Sequence, residues 1–281
     1  MTGSFGERVR VALDERGPLC VGIDPHAALL TAWGLPDDAS GLREFGLRTV
    51  AAAADRVGIV KPQVSFFERH GSRGLAALEE VIAAARAAGL LVIADAKRGD
   101  IGSTMNDYAR AWLEPGGALE ADALTVNPFL GVGALDGAFD LAHAHGKGLF
   151  VLAATSNPEA AELQRATTAD GSTVSAAVVA AVSARNAAAV APGEWGSVGF
   201  VIGATVERTQ TGIGDIDPPA PILAPGFGAQ GAEPAQLTAR FGALAPCVIA
   251  SESRSLLSAG PDALSDAIAQ RAAEYREVTR G

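Results

Sequence analysis

The sequence predicts an α/β protein in which eight parallel strands alternate with helices to form a (β/α)8, or TIM, barrel. Three observations support this fold class: eight apolar, β-rich runs recur along the chain, most are continuous rather than alternating, and helical patterns lie between them. Continuous apolar runs are typical of strands that are buried on both faces of a parallel sheet. Eight strand–helix units in about 250 residues fit a barrel, although an open doubly wound sheet has the same local pattern.

The predicted strands follow one another along the whole chain. They are LCVGI (19–23), VGIVK (57–61), LLVIAD (90–95), ALTV (123–126), LFVLAA (149–154), VGFVIG (198–203), PILA (221–224) and CVIA (247–250). Apolar residues at helical spacing predict helices between them, for example around residues 75–85 and 105–112. Ser103 or Thr104 is the expected N-cap of the second example, because hydroxyl side chains favour that position.

A further helix is predicted before the first strand. Ser4 and Glu7 form a Ser-x-x-Glu capping-box pattern, and apolar residues follow at helical spacing. This helix is expected to close the floor of the barrel. Because no Pro/Gly/Ser-rich linker and no short repeat interrupts the chain, residues 1–281 are interpreted as a single domain with this extra N-terminal helix.

The amino-acid composition favours a globular protein and disfavours nucleic acid and membranes as its partners. A chain of 281 residues with 48% hydrophobic and 19% charged residues suits a soluble globular protein with a sizeable core. The net charge of −10 disfavours binding to nucleic acid or to an anionic membrane, since both need a cationic face. The N-terminal segment lacks the apolar core of a signal peptide, and no run reaches the roughly 18 apolar residues that span a bilayer. The predicted compartment is therefore the cytoplasm.

Polar and charged side chains close most of the predicted strands, at the ends that converge on one mouth in a barrel. They are Asp24, Lys61, Asp95 with Lys97 and Asp100, Asn127, Thr155 with Ser156, and Ser251 with Arg254. Asp95 and Lys97 are two residues apart, so on an extended segment they face the same side, beside Lys61 of the neighbouring strand. Such an alternation of charge shifts proton affinities and preorganises an electrostatic field for catalysis. The alternative is an ion-pair cluster that only solvates the rim.

A glycine-rich loop, APGFGAQGA (224–232), follows the seventh strand. Gly226, Gly228 and Gly231 let backbone N–H groups approach an anion, and barrels often hold phosphate in the loops after strands seven and eight. Arg254, after the eighth strand, supplies a bidentate cationic partner. The residues thus indicate a barrel enzyme that acts on a small phosphorylated molecule without a redox cofactor or a metal cluster.

The same residues resemble those of a known family. Asp95, Lys97, Asp100, Ile101 and Thr104 form an Asp-x-Lys-x-x-Asp-Ile-x-x-Thr pattern that is similar to the signature of orotidine 5′-phosphate decarboxylase. The match extends through VGIDP (21–25), VKPQVSFFE (60–68), LTVNPFLG (124–131), TSNP (155–158), APGFGAQG (224–231) and Arg254. It covers most of the chain and resembles the longer bacterial branch of the family.

The resemblance implies a (β/α)8 homodimer that converts orotidine 5′-monophosphate to uridine 5′-monophosphate (UMP) and CO2, the last step of de novo UMP biosynthesis, with no cofactor and no metal. By the same resemblance, Lys61, Asp95 and Lys97 form a charged network in one subunit. Asp100 reaches across the dimer interface into the partner's site. Further residues are assigned to ligand binding: Asp24 and Thr104 to the ribose hydroxyls or nearby groups, Ser156 to the pyrimidine, and Gln230 and Arg254 to the phosphate.

Two other functions remain open. Metal-assisted sugar-phosphate decarboxylases and aldol-type synthases also carry Asp-x-Lys-x-x-Asp, but they place a glutamate at the end of the second strand to help bind magnesium. This chain has Lys61 there, and a cation opposes a divalent metal. A non-catalytic nucleotide-binding barrel is the second alternative, since it would need only Arg254 and the glycine loop.

Overall fold

Eight parallel strands close into one barrel in the order of the sequence. A computed structural model describes residues 3–280, so residues 1, 2 and 281 of the predicted domain lie outside the described residues. The strands are β1 (Leu19–Ile23), β2 (Ile59–Pro62), β3 (Leu91–Arg98), β4 (Ala123–Val126), β5 (Gly148–Ala154), β6 (Val198–Ile202), β7 (Ile222–Pro225) and β8 (Val248–Glu252). Parallel pairing of β1 with β8 closes the barrel. The (β/α)8 prediction is confirmed, and the open doubly wound sheet is excluded.

Helices surround the barrel. They are α1 (Phe5–Arg16), α2 (Ala27–Ala32), α3 (Ala39–Ala53), α4 (Val64–Glu68), α5 (Gly71–Ala87), α6 (Gly102–Leu113), α7 (Asp136–Ala144), α8 (Ala160–Gln164), α9 (Val174–Ala189), α10 (Arg208–Thr211), α11 (Leu237–Phe241), α12 (Arg254–Leu257) and α13 (Leu264–Arg280). Short 3-10 helices span Val132–Leu135, Pro234–Gln236 and Gly242–Cys247. Among the described residues, no helix is both long and apolar enough to cross a bilayer.

The strands are buried because their side chains face either the barrel interior or the helices. Every residue of β1, β2 and β4 is buried. Burial of one Val, Leu, Ile or Phe side chain stabilises the fold by about 1.5–3 kcal/mol. The continuous apolar runs of the sequence therefore correspond to strands covered on both sides, as predicted.

The predicted floor helix is α1. The Ser4 hydroxyl accepts a hydrogen bond from the Glu7 backbone N–H (3.3 Å), which is one half of a capping box. The Glu7 carboxylate does not complete the box but accepts from the backbone N–H of Trp195 (3.0 Å), just before β6. Phe5 packs edge-on against Phe150 of β5, with 5.9 Å between the ring centroids. These contacts hold α1 across the amino ends of the strands, as expected.

Two local predictions around β3 are wrong. The strand does not end at Asp95 but continues to Arg98, and its register with β4 shifts on the way. Neither Ser103 nor Thr104 caps α6, because the helix begins earlier, with Ile101 at the N-cap. The Asp100 carboxylate accepts a hydrogen bond from the Ile101 backbone N–H (2.8 Å), so the turn into the helix forms before the hydroxyl side chains are reached.

Candidate active site

A cavity of about 1490 Å³ opens at the carboxyl ends of the strands. Eight of the ten predicted site residues line it: Asp24, Lys61, Asp95, Lys97, Ser156, Gly226, Gln230 and Arg254. They come from loops and strand ends that are far apart in the sequence, and only barrel closure brings them together. The strand ends thus form one mouth, as the sequence predicts.

Three charged side chains meet in the lining of this cavity. The Lys61 ammonium donates to Asp95 Oδ2 (2.9 Å), and the Lys97 ammonium donates to Asp95 Oδ1 (2.5 Å). The side chains of Lys61 and Asp95 are 6% and 9% exposed, whereas that of Lys97 is 46% exposed. Asp95 is therefore the buried centre of a Lys-Asp-Lys chain, and Lys97 is the member that a bound molecule can reach.

The backbone of Lys97 departs from the extended form that the sequence predicts. Its φ angle is +49°, in the left-handed region that lysine rarely adopts. Such a conformation costs on the order of 1–3 kcal/mol and persists only where surrounding contacts hold it. Thr125 of β4 provides them, because its hydroxyl accepts from the Lys97 backbone N–H (2.9 Å) and donates to Asp95 Oδ1 (3.0 Å). Asp95 and Lys97 meet through this bulge rather than through a regular strand.

The charges of the network stabilise one another. Burial alone would raise the pKa of Asp95, but the charges of Lys61 and Lys97 outweigh it and hold that pKa well below its usual value. Burial would also lower the pKa of Lys61, and the charges of Asp95 and Asp24 instead keep it above its usual value. Asp95 is therefore a carboxylate and Lys61 an ammonium across the neutral pH range.

The opposite side of the cavity carries groups suited to a phosphate. Gly226 begins the glycine loop with a φ of +117°, which glycine adopts without strain. Gln230 lies in the same loop, and its Oε1 is 3.5 Å from the Ser156 hydroxyl of the loop after β5. Arg254 is exposed to the cavity, and among residues 3–280 its guanidinium has no carboxylate partner. A cation and a glycine-rich loop thus face the same space.

Two further polar atoms are available to a ligand. Within the described part of the chain, the buried Asp24 Oδ1 and Ser253 Oγ atoms have no hydrogen-bond partner, and both residues line the cavity. Buried polar atoms normally have partners, so an unpaired oxygen facing a cavity is a natural site for a ligand hydroxyl.

Asp100 and Thr104 do not line the cavity of their own chain. Thr104 is exposed on the first turn of α6, and Asp100 is partly buried in the turn before it. Arg98, the remaining charge of this segment, is turned to an ion pair with Glu68. The assignments of Asp100 and Thr104 to a ligand site stay predictions.

Sequence reasoning missed two residues of the site. Thr125 was part of a predicted strand, and its only signal was a hydroxyl residue within the apolar run ALTV. Gln63 lies inside the quoted motif VKPQVSFFE, lines the cavity, and donates to the backbone carbonyl of Asp95 (3.1 Å). Both contact Asp95 from outside β3, Thr125 from β4 and Gln63 from the residue after β2, which spacing along the chain does not reveal.

Comparison with known proteins identifies relatives over almost the full length. Residues 17–263 match the model of the "Orotidine 5'-phosphate decarboxylase / HUMPS family". The chain is 54% identical over 259 residues to an orotidine 5′-phosphate decarboxylase from Salinispora arenicola, covering 92% of this chain and 91% of the relative. An orotidine 5′-phosphate decarboxylase from Corynebacterium efficiens is 50% identical over 283 residues, which cover 98% of each chain.

Solved structures agree with these matches. A crystal structure from Streptomyces avermitilis, of a protein provisionally named orotidine 5′-phosphate decarboxylase, has a TM-score of 0.94 at 49% identity and covers 100% of this chain and 97% of the other. A structure of Leishmania donovani OMP decarboxylase has a TM-score of 0.73 at 28% identity, covering 98% of this chain and 99% of the other. The resemblance seen in the sequence is confirmed, and the chain belongs to the orotidine 5′-phosphate decarboxylase / HUMPS family.

Proposed function

We propose that this protein decarboxylates orotidine 5′-monophosphate to UMP and CO2 without a cofactor, and that residues 1–281 act as one catalytic domain. The observation that carries the proposal is the Lys61–Asp95–Lys97 network, which shares one cavity with the glycine loop and Arg254. A nucleotide with its phosphate at Arg254 would extend its base toward Lys97. The names of the relatives support the same reaction.

The reaction needs a strong local field. When the bond between C6 of the pyrimidine and the carboxyl carbon breaks, CO2 leaves and the electron pair stays on C6. That pair occupies an sp2 orbital in the plane of the ring, so the ring carbonyls cannot delocalise it as an enolate. A cation placed beside C6 before the reaction begins can stabilise this charge without reorganisation.

Lys97 is the proposed source of that cation and of the proton. Its ammonium stabilises the developing charge on C6 and then transfers a proton to C6, and the neutral amine regains a proton from water after UMP forms. A positioned general acid contributes on the order of 10²–10⁴-fold to the rate. The partial exposure of the Lys97 side chain supports this role, because the donor must reach the substrate.

Asp95 and Lys61 act through Lys97 in this proposal. Asp95 holds the Lys97 ammonium at 2.5 Å and, as a carboxylate, lies near the position of the departing carboxyl group. Lys61 neutralises Asp95 from the buried side at 2.9 Å. The network therefore presents the Lys97 ammonium to the cavity, while the Asp95 carboxylate, its counterion, is buried beneath it.

The remaining site residues are assigned to binding. We assign the phosphate to Arg254, Gln230 and the backbone around Gly226, and the pyrimidine to Ser156. The unpaired Asp24 oxygen supports a contact with a ribose hydroxyl, and Thr104 is assigned to the same sugar from a second subunit or from a closed loop. Contacts with the phosphate, far from C6, supply binding energy that orients the ring.

The proposal includes a homodimer in which Asp100 completes the partner's site. The homodimer is supported by an apolar surface around Asp100 that is exposed to solvent in the single chain. Ile101, Phe129 and Leu130 are 64%, 71% and 52% exposed, on the adjacent loops after β3 and β4. Large apolar side chains clustered in this way commonly mark an interface. A second copy placed here would bring its Asp100 close to the mouth of the cavity.

One assay separates this proposal from its alternatives. The loss of orotidine 5′-monophosphate absorbance is followed with purified protein in EDTA and again after magnesium is added. Turnover that is unchanged by EDTA supports the cofactor-free decarboxylase. Activity that EDTA abolishes and magnesium restores would favour the metal-assisted sugar-phosphate type. Tight UMP binding with no turnover would instead favour the non-catalytic binder.

A further inference from the structure

A buried carboxylate lies directly behind the proposed phosphate site. Glu252 is the last residue of β8, is 1% exposed, and does not line the cavity. The Tyr275 hydroxyl of α13 donates to its Oε1 (2.7 Å), and the Ser255 hydroxyl of α12 donates to its Oε2 (2.6 Å). Arg271 of α13 lies 3.6 Å from the same Oε1 atom. Nothing in the proposed chemistry uses this group.

Burying the Glu252 carboxylate costs desolvation free energy, and the hydrogen bonds that offset this cost restrict movement of the groups around it. A buried carboxylate is tolerated only when hydrogen bonds and an opposite charge replace its lost hydration. Tyr275 remains a donor, because burial and then the charge of Glu252 raise the pKa of its phenol. Hydrogen bonds to a charged acceptor are about twice as strong as neutral ones. The bonds to Glu252 therefore hold β8, α12 and α13 firmly together.

The same carboxylate touches both loops that face the phosphate. Ser255 directly follows Arg254 in α12, so its bond to Glu252 fixes the backbone that carries Arg254. The glycine loop lies against the other side, since a Cβ atom added to Gly228 would be 2.5 Å from Glu252 Oε2. Phe227, which lines the cavity, packs edge-on against Tyr275 with 5.8 Å between the ring centroids.

We propose that Glu252 is a positioning residue that holds Arg254 and the glycine loop at the separation a phosphate monoester requires. The inference rests on the proposed function, because it takes the phosphate site from that assignment. It goes further in naming a residue outside the cavity that determines the affinity for the phosphate group. Glu252 acts on the substrate only through Arg254 and the loop.

The test compares a ligand that has the phosphate with one that lacks it. Dissociation constants of UMP and uridine are measured for the wild type, Glu252→Gln, Arg254→Ala and the double variant. Glu252→Gln keeps the shape of the side chain but removes its charge. We expect UMP to bind about tenfold more weakly to Glu252→Gln, with uridine unchanged within twofold. In the Arg254→Ala background, the second substitution should weaken UMP binding by clearly less than tenfold, about threefold, because the route through Arg254 is already lost and only the route through the glycine loop remains.

A matched control removes a second carboxylate at the opposite end of the barrel. Glu120 accepts hydrogen bonds from Lys147 and Arg86, before β4, far from the cavity. Glu120→Gln should leave both dissociation constants unchanged. If Glu252→Gln does not fold, Tyr275→Phe replaces it, since this variant deletes one bond to Glu252 and keeps the ring against Phe227.

The outcomes separate this inference from the proposed function. Equal weakening of UMP and uridine, or losses that add fully in the double variant, would show that Glu252 is merely structural. A wild type that prefers UMP to uridine but does not turn over orotidine 5′-monophosphate would overturn the decarboxylase assignment. The role of Glu252 would then still be decided by the UMP and uridine dissociation constants of the variants. A wild type that binds both ligands equally would overturn the phosphate site and, with it, this inference.

Discussion

The Lys97 ammonium lies 2.5 Å from the Asp95 carboxylate although the Lys97 backbone is left-handed. The contact therefore depends on a bulge in β3, which a hydroxyl on the neighbouring strand holds in place. This relationship links an irregular stretch of β3 to the group that we assign to proton transfer. It implies that activity depends on residues that never touch the substrate.

Thr125 is the first such residue. Thr125→Val keeps the shape of the side chain but removes the acceptor for the Lys97 N–H and the donor to Asp95. A buried polar group left without its partner costs about 1–3 kcal/mol, so we expect kcat to fall about tenfold or more with KM changed less than threefold. Steady-state kinetics check this, and Thr125→Ser, which retains the hydroxyl, should stay close to wild type. Equal kinetic constants for Thr125→Val and Thr125→Ser would contradict a role of the Thr125 hydroxyl in positioning Asp95 and Lys97.

The glycine loop provides a second test. An alanine at Gly228 would collide with Ser255 and Glu252 and would also need a φ of +68°. We expect Gly228→Ala to weaken UMP binding at least tenfold while uridine binding is retained. Gly89→Ala is the matched control, since Gly89 has a φ of +75° with open space around it, at the amino end of the barrel. If both variants bind UMP as the wild type does, the loop does not need this close approach.

Acid stability provides a third test. Burial would raise the pKa of Glu120, but hydrogen bonds from Lys147, Gly116 and Arg86 lower it to about 2. Because this pKa is lower in the folded protein than in the unfolded chain, the stabilisation is present above about pH 4.5 and is lost as the pH falls toward 2. Between pH 6 and pH 3, the wild type should lose about 2 kcal/mol more unfolding free energy than Glu120→Gln. Urea titrations measure the difference, and parallel losses would contradict it.

The proposed dimer predicts complementation between inactive subunits. If Asp100 acts across the interface, a mixture of Lys97→Ala and Asp100→Ala subunits forms heterodimers with one fully wild-type site. Mixing after partial denaturation and refolding should then restore a substantial fraction of the activity, while each variant refolded alone stays inactive. An inactive mixture that nevertheless contains heterodimers would place Asp100 in its own subunit's site, whereas an Asp100→Ala protein that is active by itself would place Asp100 outside any site.

Much of the fold could be predicted because it depends on patterns that are local in sequence. Buried parallel strands need continuous apolar runs, and the polar residues at their ends mark the mouth of a barrel. The N-cap of α6 was misplaced because the Asp100 side chain starts the turn before the hydroxyls of Ser103 and Thr104. The extension of β3 was missed because it depends on Thr125, about thirty residues away in another strand.

The positioning role of Glu252 illustrates the same limit. In the sequence it is one polar residue in ASESRS, and its side chain points to the helices rather than into the cavity. Its main partner, Tyr275, lies 23 residues later on α13. A pattern of strand ends identifies residues that face the mouth, whereas the groups that hold them are visible only once the helices are packed.

The most direct test of the central claim is the turnover of orotidine 5′-monophosphate in EDTA by the wild type, Lys97→Ala and Arg254→Ala, with UMP affinity measured for each. We expect rapid turnover by the wild type and a loss of kcat of at least about 10³-fold in Lys97→Ala, with UMP binding kept within a few-fold. Arg254→Ala should instead raise KM and weaken UMP binding more than it lowers kcat. A Lys97→Ala protein that retains kcat within tenfold of the wild type would contradict the assignment of Lys97 as the proton donor.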